Sequence, residues 1–173
     1  MKLLVIILSV MTWTVESKNT VTLAEGGTKP NDIEVSYANT YNKGQVRAGD
    51  VAVLTLSNMG GITVERVSLA MRANAKSGAG VIEVACNNTQ LTEKSVSWQS
   101  VSEDVEVFRG QQQGVDKLEI KVTGVQSSVY IDAFTIEYTP HAPMSVVLMR
   151  GDTPIDTLME EQGMSGEIGR AHV

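Results

Sequence analysis

The feature that most constrains the fold is a two-residue alternation of apolar and polar side chains. Residues 118–123 alternate without a fault, and residues 51–56 and 105–107 come close to the same pattern. Successive side chains of a β-strand point to opposite faces, so this pattern predicts strands with one buried and one solvated face. Between residues 20 and 138 no amphipathic segment of ten residues has helical spacing. We therefore expect an all-β chain.

Short Gly- and Asn-containing segments separate the expected strands, as turns do. They lie at residues 42–44, 48–50, 58–61, 76–80, 87–88, 109–110 and 124. Seven or eight short strands between residues 20 and 139 predict an antiparallel two-sheet β-sandwich, with a barrel as the alternative. The expected core residues are Val53, Leu56, Leu69, Ile82, Val84, Leu118, Ile120, Val122, Phe134 and Ile136.

Two of these strands change phase along their length. In residues 62–71 the apolar positions shift parity near Glu65 and Arg66, and in residues 129–138 they shift near Asp132 and Ala133. A straight strand would place half of each apolar set in water. A bulge or bend at each shift is therefore expected.

The N-terminus resembles a secretion signal. An apolar run at residues 3–11 follows Met1-Lys2 and is shorter than the ~20 residues of a membrane-spanning helix. With Val15 and Ser17 as the small residues of a cleavage site, residues 1–17 are interpreted as a signal peptide and the protein is expected to be exported. The alternative is that this run forms a first buried strand.

The sequence pattern changes after residue 139. Pro140 and Pro143 predict a linker at residues 140–144, which ends a sandwich domain of residues 18–139. Residues 145–167, with a turn at Gly151-Asp152, are interpreted as a hairpin that begins a truncated second β domain. Residues 168–173 are what a common short-read sequencing adapter encodes in one frame, and we interpret them as translated adapter.

Composition excludes several classes of function. With 14 basic and 20 acidic residues the net charge is −6, which argues against nucleic acid and anionic membrane partners. His141 lies between two prolines, and no pattern typical of a zinc, calcium or nucleophilic catalytic site occurs. Cys86 is in phase with Ile82 and Val84, so a buried thiol is expected. We expect no enzyme activity, no cofactor and no metal.

Several segments resemble the β-sandwich accessory domains of multidomain secreted bacterial proteins, which are galactose-binding-like or carbohydrate-binding-module-like jelly rolls. The resemblance lies in residues 47–56, 68–80 and 129–138 and covers about residues 45 to 139. It implies a jelly roll closed by the strand at residues 129–138. Some jelly rolls of this kind hold a calcium ion, for which Glu25 and Asp132 would be the carboxylates here. The segment after Pro143 is similar to the opening hairpin of internalin-type repeat domains.

Aromatic side chains are the candidates for a ligand site, because sugars stack on aromatic faces. Trp98 has small polar neighbours but is in phase with Val96, so an exposed and a core position both stay open. Tyr37 and Tyr41 flank Asn39 and are the other two candidates, whereas Phe108, Tyr130 and Phe134 are assigned to the core. The predicted function is a non-catalytic accessory module that binds a glycan or cell-surface polymer weakly. The alternative is a structural spacer or adhesin domain.

Overall fold

The computed structural model describes residues 8–73, 76–99, 101–141 and 145–159, and all regular secondary structure in these ranges is β. The chain divides into two compact units, Met1–Pro140 and His141–Val173. The strands are β1 (Ser9–Ser17), β2 (Thr20–Leu23), β3 (Glu34–Asn39), β4 (Gln45–Arg47), β5 (Val51–Ser57), β6 (Ile62–Ala73), β7 (Ser77–Cys86), β8 (Thr89–Gln99), β9 (Glu103–Val115), β10 (Leu118–Gln126), β11 (Ser128–Thr139), β12 (Ser145–Arg150) and β13 (Thr153–Met159).

The first unit is a sandwich of two antiparallel sheets, which confirms the predicted fold class. The first sheet has the order β2-β1-β11-β6-β9, and β4 pairs with the beginning of β11. The second sheet has the order β3-β5-β10-β7-β8. From β3 to β7, and again from β8 to β11, each strand is followed by one in the other sheet. Consecutive strands therefore cross between the layers and enclose one core.

The core lies between the two sheets and contains nine of the ten residues predicted for it, all fully buried. Val53 is the exception and is only half-buried. In β5 the inward positions belong to Ala52, Leu54 and Leu56, so Val53 has the parity of the outer face. Thr55 and Ser57, the polar residues of β5, have the same parity as Val53, so the alternation itself places Val53 on the outer face.

Two of the three aromatic residues assigned to the core are not fully buried. Phe134 is fully buried, but Phe108 and Tyr130 are half-buried. Tyr130 faces outward because its neighbours Val129 and Ile131 take the inward positions of β11. Cys86 is buried as predicted, and desolvation raises its thiol pKa to about 11.

Both predicted strand irregularities are confirmed as breaks in the pairing register. On β6 the partners on both neighbouring strands skip Glu65. On β11 the pairing with β6 skips Asp132, because Ile131 pairs with Met71 and Ala133 pairs with Ala70. Each bulge resets the parity, so the apolar residues before and after it all face the core.

The N-terminal prediction conflicts with the fold. Residues 9–17, which were assigned to a signal peptide, form β1, which lies between β2 and β11 in the first sheet. Met11, Trp13 and Val15 of this strand are buried in the core. The sandwich therefore includes residues before 18. The alternative first strand was expected at residues 3–11, and only the last three of these residues lie in β1.

The predicted turns differ in their outcome. Residues 58–61 and 87–88 are turns with positive φ angles, whereas residues 77–80, 109–110 and 124 lie within strands. At Gly78 a Cβ atom would lie 3.1 Å from Val129 Cγ1 and 3.2 Å from Ser128 O. This glycine permits a close approach between the two sheets and does not make a turn.

The second unit contains the hairpin of β12 and β13, paired from Ser145 with Met159 to Arg150 with Thr153. Gly151 and Asp152 form its turn, as predicted.

Candidate ligand-binding surface

Tyr37, a predicted ligand-binding residue, belongs to the core. It is 3% exposed, and its ring packs edge-on against Phe134 with the centroids 6.0 Å apart. Its hydroxyl donates a hydrogen bond of 2.6 Å to the carbonyl oxygen of Lys43, and burial raises its pKa. A ring in this position has no face available to a ligand, so the prediction for Tyr37 is wrong.

The structure does not bring Trp98 and the predicted tyrosines to one place. The Trp98 backbone lies in β8 opposite Gly78, and its side chain lies outside the described residues. Tyr37 lies on β3, and β3 and β8 are the two edges of the second sheet. Four strand spacings, roughly 19 Å, separate these edges.

Tyr41 is 37% exposed in the loop between β3 and β4, and this loop is organised by Asn39. The Asn39 side chain is buried, and its amide nitrogen donates to the carbonyl oxygens of Asn42, Lys43 and Gln45 at 2.6–3.1 Å. Its Oδ1 accepts a hydrogen bond of 3.0 Å from the backbone N–H of Tyr41. One buried amide thus fixes the backbone that presents Tyr41 to solvent.

Two glycines allow the short strand β4 to lie against its neighbours. A Cβ atom at Gly44 would overlap the carbonyl oxygen of Ile131, and one at Gly124 would overlap that of Arg47. Gly124 also forms an isolated parallel bridge with Ala48. The position of Arg47 is therefore set by backbone contact, and only glycine permits that contact.

The guanidinium group of Arg47 lies over the ring of Tyr41. Its guanidinium carbon is 3.6 Å from the ring centroid, and its Nε donates a hydrogen bond of 2.8 Å to Asp50 Oδ2. This hydrogen bond is the main cause that lowers the pKa of Asp50. The ring and the carboxylate together fix the plane of the guanidinium, which stays about half exposed.

A second arginine–tyrosine stack lies on the neighbouring strands. The guanidinium carbon of Arg72 is 4.3 Å from the ring centroid of Tyr130, and its Nε is 3.7 Å from Asp132 Oδ2. Asp132 is the residue that the β11 bulge leaves unpaired with β6. The bulge that corrects the parity of the core thus also places a carboxylate beside Arg72.

The register shows that these side chains share one face. Tyr130 pairs with Gln45 on one side and with Arg72 on the other, and Ser128 pairs with Arg47. Directly paired residues point to the same side of a sheet, and the residues between them along each strand are buried. We name this set, on the outer face of the first sheet and with Tyr41 from the adjoining loop, the tyrosine–arginine surface: Tyr41, Gln45, Arg47, Arg72, Ser128 and Tyr130.

Sequence reasoning identified Tyr41 of this surface and missed the two arginines. The spacing of Arg47 and Asp50 was an available signal, because a cation and an anion three residues apart across a Gly turn can pair. The pairing of Arg72 with Tyr130 gave no local signal, because it depends on the register of two strands that are far apart in sequence.

A second charged cluster occurs further along the same sheet face. Arg66 binds Glu106 at 2.7 Å, Asp104 at 2.5 Å and Ser68 Oγ at 3.1 Å, and it lies 3.6 Å from Glu137. Hydrogen bonds from Arg109 and Arg66 lower the pKa of Glu106 to about 2. These contacts link β6, β9 and β11. They also use the hydrogen-bond donors of the Arg66 guanidinium on groups of the protein itself.

The carboxylates considered for calcium do not form such a site in the described ranges. Glu25 lies in the loop after β2, and Asp132 lies beside Arg72. Among the described residues no three or more His, Cys, Asp or Glu side chains come together in a way that could hold a metal ion.

Asn87 begins the formal glycosylation motif Asn87-Asn88-Thr89, but its side chain is engaged in the fold. Its Nδ2 donates a hydrogen bond of 2.8 Å to the carbonyl oxygen of Gly114, and its Oδ1 accepts from the backbone N–H groups of Asp116 and Lys117. The nitrogen that a glycan would modify is therefore bonded to β9, and Oδ1 of the same side chain holds the β9–β10 turn.

The chain has a structural likeness to a protein of known structure. No family model matches the chain, and no curated protein matches it. Among solved structures, a family two carbohydrate esterase from Cellvibrio japonicus matches with a TM-score of 0.40 and 14% sequence identity. The match covers 80% of this chain and 37% of the esterase chain, so this protein spans well under half of that structure. In the described part of the chain no helix has the length and apolarity needed to span a membrane.

Proposed function

We propose that the first unit is a non-catalytic accessory module that binds carbohydrate through the tyrosine–arginine surface. The observation that carries this proposal is the pair of tyrosine rings, Tyr41 and Tyr130, each stacked with a guanidinium on one outer sheet face. A planar group whose orientation is already fixed loses little conformational entropy when a ligand binds.

The chemistry of this surface suits a sugar. Sugar rings present C–H faces that pack on aromatic rings and hydroxyls that need both donors and acceptors. Gln45 supplies an amide and Ser128 a hydroxyl, and both lie between the two stacks in the register. Stacking and hydrogen-bonding groups therefore alternate across the sheet.

Two carboxylates of the first unit, Asp50 and Glu106, support binding over catalysis. A general acid in a glycosidase needs a raised pKa. Instead, an arginine lowers the pKa of Asp50, and two arginines lower that of Glu106.

Export is part of the same proposal, since an exported protein meets extracellular polymers. Fractionation of the producing cells tests it: we expect the protein in the medium or at the cell surface, and strict retention in the cytosol would contradict export. Mass spectrometry of the mature N-terminus tests the fold separately, because a mature chain that begins at Lys18 would lack β1.

Affinity electrophoresis against a panel of soluble polysaccharides tests the binding site. We expect Tyr41→Ala to weaken binding roughly tenfold or more, and Tyr41→Phe, which keeps the ring, to weaken it much less. Trp98→Ala is the matched aromatic control on the opposite strand edge and should leave binding unchanged.

Each alternative predicts a different result. Loss of binding in Trp98→Ala, together with full binding in Tyr41→Ala, would show that the binding site lies at β8. Absence of binding by well-folded protein to every polysaccharide would leave the spacer alternative, and hydrolysis by pure protein would refute the non-catalytic assignment.

A further inference from the structure

In the tyrosine–arginine surface, each of the two guanidinium groups contacts an aspartate through its Nε edge and exposes its terminal Nη edge to solvent. Arg47 and Arg72 each direct Nε toward an aspartate and place the guanidinium carbon over a tyrosine ring. Within the described part of the chain, the terminal Nη atoms of both have no hydrogen-bond partner. The two side chains are 53% and 41% exposed, so these N–H groups face solvent.

This arrangement differs from that of Arg66, which lies on the same sheet face. The Arg66 guanidinium uses Nε, Nη1 and Nη2 on protein groups, and its side chain is only 16% exposed. Arg47 and Arg72 therefore retain donors that the fold does not use. A guanidinium with two parallel N–H groups is the geometry that binds a carboxylate in a bidentate manner.

The register also sets the spacing of the two groups. Arg47 lies on β4 and Arg72 on β6, with β11 between them, and their pairing positions on β11 are two residues apart. Two strand spacings across and two residues along give roughly 12 Å between their Cα atoms. Gln45 and Tyr130 lie between the two arginines on the same face.

We propose that this surface recognises an acidic saccharide, in which sugar carboxylates bind the open edges of Arg47 and Arg72 while a ring packs on the tyrosines. This inference rests on the proposed function and names its ligand class. The chain carries a net charge of −6, so no long-range field attracts a polyanion. Recognition must then come from the two guanidiniums themselves, and it should depend on their geometry as well as their charge.

The test compares one oligosaccharide in two forms, tetragalacturonic acid and its methyl ester, which share a backbone and differ in the free carboxylates. Isothermal titration of the full chain should show the acid binding at least about tenfold more tightly than the ester. Arg47→Gln and Arg72→Gln should each remove most of that difference, because they weaken binding of the acid more than binding of the ester. Arg47→Lys and Arg72→Lys should not restore it, because an ammonium cannot form the bidentate pair.

Arg109→Gln is the matched control. Arg109 is an exposed arginine of the first sheet that binds Glu106 and lies outside the tyrosine–arginine surface. Its substitution should not change acid binding, and circular dichroism of every variant should match the unmodified protein.

The possible results distinguish failure of the acidic-ligand inference from failure of the proposed carbohydrate binding. Equal affinity for acid and ester would overturn the acidic-ligand inference and leave carbohydrate binding in place. An equal loss in Arg109→Gln would also overturn it, because binding would then reflect charge alone. Binding of neither form, with no neutral polysaccharide bound in the affinity panel, would overturn the inference together with the proposed function.

Discussion

Gly124 is a single residue on which the position of Arg47 depends. We expect Gly124→Ala to lower the free energy of unfolding by about 1–3 kcal/mol, because its Cβ would overlap the Arg47 carbonyl oxygen and force β4 away from β10. Urea denaturation measures this change. The same variant should lose affinity in the polysaccharide assay, since the Arg47–Tyr41 stack would move.

Gly110→Ala is the matched control for this substitution. There the added Cβ would meet the ring of half-buried Phe108 at 3.2 Å, and a side chain can shift where a backbone cannot. The expected change is under about 1 kcal/mol. Full stability in Gly124→Ala would show that β4 does not need its close contact with β10.

The lowered pKa of Glu106 predicts that this residue makes the stability of the folded protein sensitive to acid. Its pKa in the folded protein is about 2, below the ordinary value of 4.5, so its contribution to stability is complete above pH 4.5 and is lost as the pH falls toward 2. Glu106→Gln should lack this part of the acid dependence. Urea midpoints measured between about pH 7 and pH 2.5 test this.

Glu34→Gln on the edge strand β3 is the control, since Glu34 is exposed and has no ion pair in the described ranges. If Glu106→Gln and the unmodified protein lose stability in parallel as the pH falls, the link between Glu106 and its arginines does not contribute to acid stability.

At the scale of elements, β1 decides whether the first sheet is complete. Met11→Ala should lower the free energy of unfolding by about 2–5 kcal/mol, because Met11 is fully buried between the sheets. Val10→Ala, on the outward face of the same strand and 40% exposed, should change it by less than about 0.5 kcal/mol.

A chain that starts at Lys18 tests the whole strand. We expect it to lose the cooperative unfolding transition that a chain starting at Leu8 retains, as seen by circular dichroism during urea denaturation. A stable Lys18 chain would show that β11 and β2 can close the sheet without β1, and the signal-peptide interpretation would regain its support.

The strands show which features of the fold could be predicted from the sequence alone. The bulges at Glu65 and Asp132 were predictable because a change of parity in a long apolar strand has few other solutions. At the N-terminus the sequence favours a signal peptide and leaves a first strand as the alternative, because an apolar run behind Met-Lys has the same composition in both. The sequence predicts a turn at Gly78, because glycine serves equally for positive φ and for close packing.

The candidate surface could be predicted only in part. Tyr41 was identified from its aromatic character, but its partner Arg47 and the second stack of Arg72 on Tyr130 follow from strand register. Tyr37 has the same residue type as Tyr41 and lies four positions earlier, yet one is core and the other half-exposed. Residue type indicates what a side chain can bind, and the fold determines whether it is accessible.

At the scale of the whole molecule, the first unit should fold by itself. All residues of its buried core lie between Met11 and Tyr138, and the unit ends at Pro140. We expect a chain of residues 1–140 to unfold within about 0.5 kcal/mol of the full chain in urea. A larger loss would mean that residues 141–173 contribute to the stability of the sandwich.

The pairing of β1 with β11, the first and last strands of the sandwich, constrains when the first sheet can form during synthesis. Thr12 and Thr135 share a hydrogen bond although they are 123 residues apart, so β1 cannot join its sheet until β11 has been synthesised. At ribosomal rates of about 5–20 residues per second this takes roughly 6–25 s. During that time Met11 and Trp13 have no apolar face to cover them. Nascent chains should therefore engage chaperones through residues 9–17, and expression at a lower temperature or with added chaperone capacity should raise the soluble yield.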